Sequence, residues 1–225
     1  MPIERLFNEV DVQRLIDMNA GPPFGKRDSA LIMGALYWGL TPSELSLLRL
    51  EDVMDQSGDF SRIWTLPSST AYNSEERELH TEDHVLPFFE QYMDWRVSEG
   101  LYLSNQSWYR GCDPKSHFFL NDRGEPYKLS PRKKGSSDYQ PRTMQAKLKT
   151  VIEKAGIEGA TAATFRDSWV KAMYDHGCHH KDLMRVSGIK QKETIDRKTR
   201  PAVQDLDKVF KDIYSHVRVR VRAAE

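Results

Sequence analysis

Apolar positions along the chain recur at helical spacing in some stretches and alternate in others, with polar turn-forming segments between them. Residues 8–19, NEVDVQRLIDMN, place Val10, Leu15 and Met18 at helical spacing, and "AGPPFG" then breaks the chain. Residues 26–38, KRDSALIMGALYW, predict a strongly apolar helix that stops at Gly39. "TPSE" follows as a capping box: Thr41 at the N-cap, Pro42 at the first helical position, Glu44 three residues after the cap. The short helix that it opens offers Leu45, Leu48 and Leu50 to a core. Between about 53 and 85 the pattern changes, and "RIWTL" and "RELHT" predict strands on either side of the polar turn "PSSTAYNSEE". Residues 85–98, VLPFFEQYMDWRVS, return to helical periodicity. "HFFLNDRGEPY" predicts a third strand or a hairpin, and "LSPRKKGSSDYQP" a polar, basic, mobile segment. Residues 142–155 put Met144, Leu148, Val151, Ile152 and Ala155 on one helical face, closed by Gly156. Helices over 164–176 and 180–187 flank Gly177, and another runs from Pro201 to about Tyr214, ahead of "VRVRVR".

No internal repeat and no linker divides this pattern. It predicts an α+β fold, mainly α-helical, with a small antiparallel three-stranded sheet, in one domain over 1–225 that ends in a basic tail at 215–225. Composition changes the picture in only a few ways. The 225 residues, 39% of them hydrophobic, suffice for a sizeable core. No run approaches the length of a membrane span, and MPIERLFNEV has no signal-peptide core. Cys112 and Cys178 make no disulfide framework, so a cytoplasmic protein without a membrane partner is expected. Net charge is zero but unevenly spread. Residues 1–100 hold 8 Lys and Arg against 18 Asp and Glu; residues 101–225 hold 25 against 15. Such asymmetry fits a basic face for nucleic acid, or equally an unevenly charged solvated surface.

Several motifs carry a more specific resemblance. "RDSALIMGALYWGLTPSELSLLRLEDV" resembles the first conserved box of the tyrosine recombinases, the phage-integrase family, in which a helix ends in Gly-Leu-Arg and runs on through Ser-Glu-Leu. "HFFLNDRGEPY" resembles the hairpin before the family's second box, "TAATFRDSWVKAMYDHG" that second box, and "DLMRVSG" the helix leading to its Leu-Gly-His step. The resemblance runs from about residue 8 to 213 and implies the family's catalytic-domain fold. It leaves no room before residue 26 for the N-terminal DNA-clamping (core-binding) domain that most members carry.

The resemblance also implies a chemistry. In the family a tyrosine hydroxyl attacks a DNA phosphate to give a phosphotyrosine, two arginines grip the phosphate oxygens, and a lysine and a histidine assist proton transfer. Carried over by position, the first arginine falls on Thr41, the histidine on Ala163, the later histidine or tryptophan on Ile189 and the nucleophile on Lys198. The turn that should supply the lysine, "PSSTAYNSEE", has none. Only the second arginine is retained, as Arg166; Arg166 could instead pair structurally with Asp167. Loss of one preorganised donor alone costs about 10²–10³ in rate, so strand cleavage is not expected. The fallback nucleophile is Tyr214 in "DIYSHV", which comes later than the family spacing places it.

Basic residues cluster at Arg132, Lys133 and Lys134, at Lys147 and Lys149, and at Lys190, Lys192, Arg197, Lys198 and Arg200. In the family the second-box region faces DNA, so these positions are the expected phosphate contacts, with a solubilising face as the alternative. "DHGCHH" gathers His176, Cys178, His179 and His180, but no second Cys/His cluster accompanies it, and a solvated turn rather than a metal site is expected. No cofactor is implied. The expected role is a DNA-binding, non-cleaving subunit, architectural or regulatory, in integration or recombination by a mobile genetic element. An active recombinase using Tyr214 and a module that pairs with an intact recombinase, or self-associates through its "VRVRVR" tail, are the alternatives.

Overall fold

The N-terminal helix, α1 (Glu9–Asn19), opens on Asn8, whose side chain accepts from the Asp11 N–H while Asp11 caps Asn8 in return. Its spacing was misleading in part. Leu15 is buried, but Val10 and Met18 are 74% and 48% exposed, because only a narrow stripe of this short helix meets the body. The next helix, α2 (Gly25–Tyr37), is buried along almost its whole length and forms the axis of the core. It stops at Gly39, whose φ of +61° is left-handed. A Cβ there would lie 2.3 Å from the Trp169 ring, so glycine also permits a close approach from the far side of the molecule.

Two short helices follow, α3 (Pro42–Leu47) and α4 (Leu50–Val53), and bury Leu45, Leu48, Leu50 and Val53. The capping box is formed as its sequence predicts, with Glu44 Oε2 accepting from the Thr41 N–H at 2.7 Å. Glu44 does more than cap. It is fully buried, and its other oxygen accepts from Arg77 Nη1 at 2.7 Å, an ion pair between α3 and the sheet.

That sheet has two strands, β1 (Ile63–Leu66) and β2 (Arg77–His80), paired antiparallel with Trp64 opposite Leu79. Alternation puts Trp64 and Leu66 on the buried face. Helix α5 (Leu86–Ser98) covers this region, and Phe89 stacks on Trp38 at 4.5 Å between ring centres. Both Trp38 and Trp64 donate their indole N–H to the buried Thr81 hydroxyl, which satisfies two polar groups inside an aromatic core.

Among the described residues the small antiparallel sheet has two strands and not the three predicted from the sequence. The segment 116–120 runs through the core without joining β1 and β2. It makes two isolated bridges, Arg49 to His117, with Phe118 N–H donating to Leu48 C=O at 2.7 Å, and Leu120 to Pro126, which closes a tight hairpin, the alternative that its sequence allows. The Ser116 carbonyl is met by the Leu50 N–H, and the next two by side chains: buried Arg96 donates to His117 and Phe118, and the Tyr92 hydroxyl donates to Phe118. These partners replace a strand ladder, which leaves Phe118 and Phe119 free to pack on both sides. The basic stretch after it closes as a second small hairpin, β3 (Ser130–Pro131) with β4 (Tyr139–Gln140).

Helix α6 (Arg142–Lys154) buries Met144, Leu148, Val151 and Ile152, with Ala155 just beyond its end. A four-charge cluster fastens it to α2. Arg27 pairs with Asp28 and Asp122, and Lys147 pairs with the same two carboxylates. Burial raises the Asp122 carboxyl, but Arg27 and Lys147 outweigh it and hold the group below its usual range. The last helices are α7 (Ala162–Asp175), α8 (His180–Ser187) and α9 (Lys192–Thr199). They share a small cluster of their own, Val170, Leu183, Ile189 and Ile195, separate from the main core. Helix α9 is not legible in the sequence, because Ile195 is its one buried apolar residue and no stripe repeats. The structure, a computed structural model, describes residues 5–200 and Lys211; the helix expected to Tyr214 and the 215–225 tail lie outside them. Among the described residues no helix is long and apolar enough to cross a membrane.

Two stability outcomes follow. Glu44→Gln leaves Arg77 buried without its counter-charge and is expected to cost about 3–5 kcal/mol in urea unfolding, the range for breaking a buried pair; an unchanged midpoint would rule out a structural role for the pair. Gly39→Ala should cost about 1–2 kcal/mol from backbone handedness alone, and more because Trp169 must move. Wild-type stability in that variant would mean that Trp169 yields freely.

Candidate functional site

The capped start of α3, the turn between β1 and β2, the start of α7 and the α8–α9 connection meet around one open cleft of about 470 Å³. Each wall has a local cause. Thr41 stands at the rim because it is the N-cap of α3, and its hydroxyl lies 3.0 Å from Glu44 Oε2. The turn is held by the same carboxylate, since Glu44 Oε1 also accepts from the Tyr72 N–H at 3.1 Å. Thr161 caps α7, which sets Ala163 in its first turn and Arg166 one turn further on. Helix α8 ends at Gly188, with φ at +70°, and the chain reverses there to place Ile189 and Lys190 on the cleft wall.

The sequence-derived positions are therefore brought together. Thr41, Ala163, Arg166, Ile189 and Lys198, far apart in the chain, line this one cleft, and Lys190 lines it with them. Other candidates fall elsewhere. Lys192, Arg197 and Arg200 are exposed on or just after α9 but do not line the cleft. Arg132, Lys133 and Lys134 are exposed at the β3–β4 hairpin. Lys147 belongs to the buried cluster with Asp28, and Lys149 faces Glu153 on the surface of α6. Tyr214 lies outside the described residues.

Arg166 does not pair with Asp167. Its Nη2 donates to the Ser187 carbonyl, its guanidinium carbon sits 4.7 Å from the centre of the Tyr72 ring, and its Nε has no hydrogen-bond partner among the described residues. Asp167 pairs instead with Lys198. The Tyr72 hydroxyl and the Asn73 amide both donate to the Gly188 carbonyl, at 2.6 and 3.0 Å, and so latch the sheet turn to the end of α8. Tyr72 and Asn73 were not singled out in the sequence. The one signal for them is an aromatic residue inside an otherwise polar turn, "PSSTAYNSEE".

The histidines of "DHGCHH" do not converge on one point. His176 Nδ1 lies 2.8 Å from the Ala172 carbonyl, His179 is the N-cap residue of α8, and His180 pairs with Asp196 at 2.6 Å. Among the described residues, no three His, Cys, Asp or Glu side chains gather as a metal site would require.

Among the described residues the cleft brings together Arg166, Lys190 and the Lys198–Asp167 ion pair. Arg166 is planar and only partly engaged, which suits an oxygen-rich anion. Thr41, Ala163 and Ile189 add no charge to it.

The model of the phage integrase family matches residues 5–204. Among solved structures, the XerA recombinase is similar with a TM-score of 0.68 at 17% identity, covering 97% of this chain and 67% of that one. The Tn1549 transposon integrase in complex with a circular intermediate DNA gives 0.61 at 14% identity, with coverage of 95% and 67%. The XerH site-specific recombinase bound to its palindromic difH substrate gives 0.61 at 14%, with coverage of 92% and 53%. The chain thus spans between about half and two thirds of the length of these proteins. No curated protein sequence matches it. At such identities the structures speak for the fold, which is that of the tyrosine-recombinase catalytic domain, while the sequence model reaches across most of the chain: the protein belongs to the phage integrase family.

Proposed function

We propose that this protein binds DNA through its phosphates and does not cut it, serving as an architectural or regulatory subunit in integration or recombination by a mobile genetic element. The observation that carries the reading is the cleft. The positions that match the family's catalytic set converge on it, and they hold Thr41, Ala163, Ile189 and Lys198 around a single retained arginine, Arg166. Arg166 can still grip a phosphate. The surrounding charge supports attraction without chemistry, since Lys190 lines the same wall and Lys192, Arg197 and Arg200 lie exposed on or after α9, with Lys198 in the cleft but paired to Asp167. Two of the similar structures, of XerH and of the Tn1549 integrase, hold DNA. Arg132, Lys133 and Lys134 on the hairpin are proposed as a second, weaker set of phosphate contacts.

The hydroxyls within the cleft do not suggest a replacement nucleophile. Thr41 is committed to Glu44, and the Tyr72 hydroxyl to the Gly188 carbonyl. The Glu44 carboxylate beside the Thr41 hydroxyl is buried and already accepts from the Arg77 guanidinium and two backbone N–H groups, which makes it a poor base, and the Tyr72 hydroxyl meets only a carbonyl; a weak nucleophile needs a base free to take its proton. Partnership with an intact recombinase fits the same reading, since a subunit that only binds DNA needs another to perform strand exchange.

Band-shift titration over a salt series tests the binding half. The protein should bind mixed-sequence duplex at low salt, and Arg166→Ala should weaken binding and reduce the slope of log K against log salt by about one. Absence of binding at low salt sinks the proposal. Nicked suicide substrates test the other half: no covalent protein–DNA adduct is expected. An adduct that vanishes in Tyr214→Phe would establish the rearranged recombinase instead, and one that vanishes in Tyr72→Phe would place the nucleophile in the cleft.

A further inference from the structure

Among the described residues three cations line the cleft, Arg166, Lys190 and Lys198, and their surroundings differ. Lys190 reaches Glu75 at 2.7 Å, with both side chains well exposed, so solvent and salt easily compete for that pair. Arg166 has no carboxylate partner among the described residues; it is held by a backbone carbonyl and the Tyr72 ring. Lys198 is bound most closely. Its ammonium contacts Asp167 Oδ1, and the two side chains are only 15% and 10% exposed. Asp167 is also the chain neighbour of Arg166, on the same turn of α7.

A carboxylate in this position has two effects on an arriving anion. It neutralises Lys198, the residue that stands where the family has its nucleophile. It also sets a negative charge close to where Arg166 would hold a phosphate, and partial burial leaves that charge poorly screened. We infer that Asp167 is a lock on the anion site: it keeps Lys198 out of contact with DNA and lowers the affinity of the cleft for a phosphodiester. The inference rests on the DNA-binding reading of the cleft. Asp167 is thus a positioning and tuning residue, and the cleft engages phosphate through Arg166 with its second cation held back. Weak binding of this kind suits a subunit that must release DNA to a partner.

The test is the salt-dependent band shift with mixed-sequence duplex, applied to the full chain and three variants. Asp167→Asn keeps an acceptor for Lys198 but removes the charge. It should bind more tightly, by about eightfold near 0.1 M salt, with a slope steeper by about one, the signature of one added phosphate contact. Lys198→Met should weaken binding with no change in slope, because the lysine makes no DNA contact in the unaltered protein and its loss uncovers Asp167. The double variant, Asp167→Asn with Lys198→Met, should return to the unaltered slope. A thermal melt of each variant separates these effects from misfolding, and Asp167→Ser repeats the first arm should Asp167→Asn melt early. A slope unchanged in a folded Asp167→Asn overturns the lock and makes the pair a purely structural tie between α7 and α9. A slope that falls by about one in Lys198→Met overturns it too, since Lys198 would then be an ordinary phosphate contact. If the unaltered chain itself fails to bind, the DNA-binding reading falls first and the lock with it.

Discussion

A single buried carboxylate, Glu44, organises the functional half of this protein. It lies at zero exposure and accepts from four donors: the Thr41 N–H and hydroxyl, the Tyr72 N–H and the Arg77 guanidinium. A buried charge with fewer partners would be costly, so these donors are held together by the energy of leaving any one unmet. The consequence is geometric. The start of α3, the first residue of β2 and the sheet turn are fixed to one point, and Tyr72, once fixed, extends the order to Gly188 and Arg166. The end of α8 and the wall of the cleft therefore depend on a residue that does not itself line the cleft.

The shape of the cleft does not depend on the residue types at the positions that match the family's catalytic set. The scaffold around the cleft is built from caps, a left-handed glycine at Gly39 and the Glu44 network, and none of these requires an arginine at 41 or a histidine at 163. Thr41 serves the cap, worth about 1 kcal/mol to the helix, where an arginine side chain would not. Ala163 and Ile189 are compatible with helix packing and the small C-terminal cluster. The geometry of the cleft rests on buried backbone and carboxylate contacts and not on the side chains at 41, 163 and 189.

The two apolar clusters add a mechanical aspect. The main core holds α2, α5, α6 and the aromatic segment 116–120, and α8 and α9 contribute to a separate cluster with α7. Helix α7 bridges the two clusters, with Phe165 in the main core, while the end of α8 and the residue after it are held to the sheet turn by polar links, Tyr72 and Asn73 to Gly188 and Lys190 to Glu75. Such links are individually weak beside a packed core, so the cleft lies on the seam between the two clusters and not inside either.

Much of the secondary structure was determined by the sequence alone. The period of the apolar residues marked α2, α5 and α6, and the capping box marked α3, because each depends on neighbours three or four residues apart. Family membership was legible from the "GLTPSEL" stretch and its context for the same reason. What only the tertiary structure decided were partners distant in the chain. The third strand did not form because Arg96 and Tyr92 took the carbonyls it would have paired. Helix α9 formed around a single buried isoleucine because α7 and α8 supplied the other half of its core. Asp167 turned from Arg166 to Lys198, 31 residues away, because helix packing brings that ammonium to it. Local periodicity carries no information about such long-range pairs, and the charge state of the cleft rests on them.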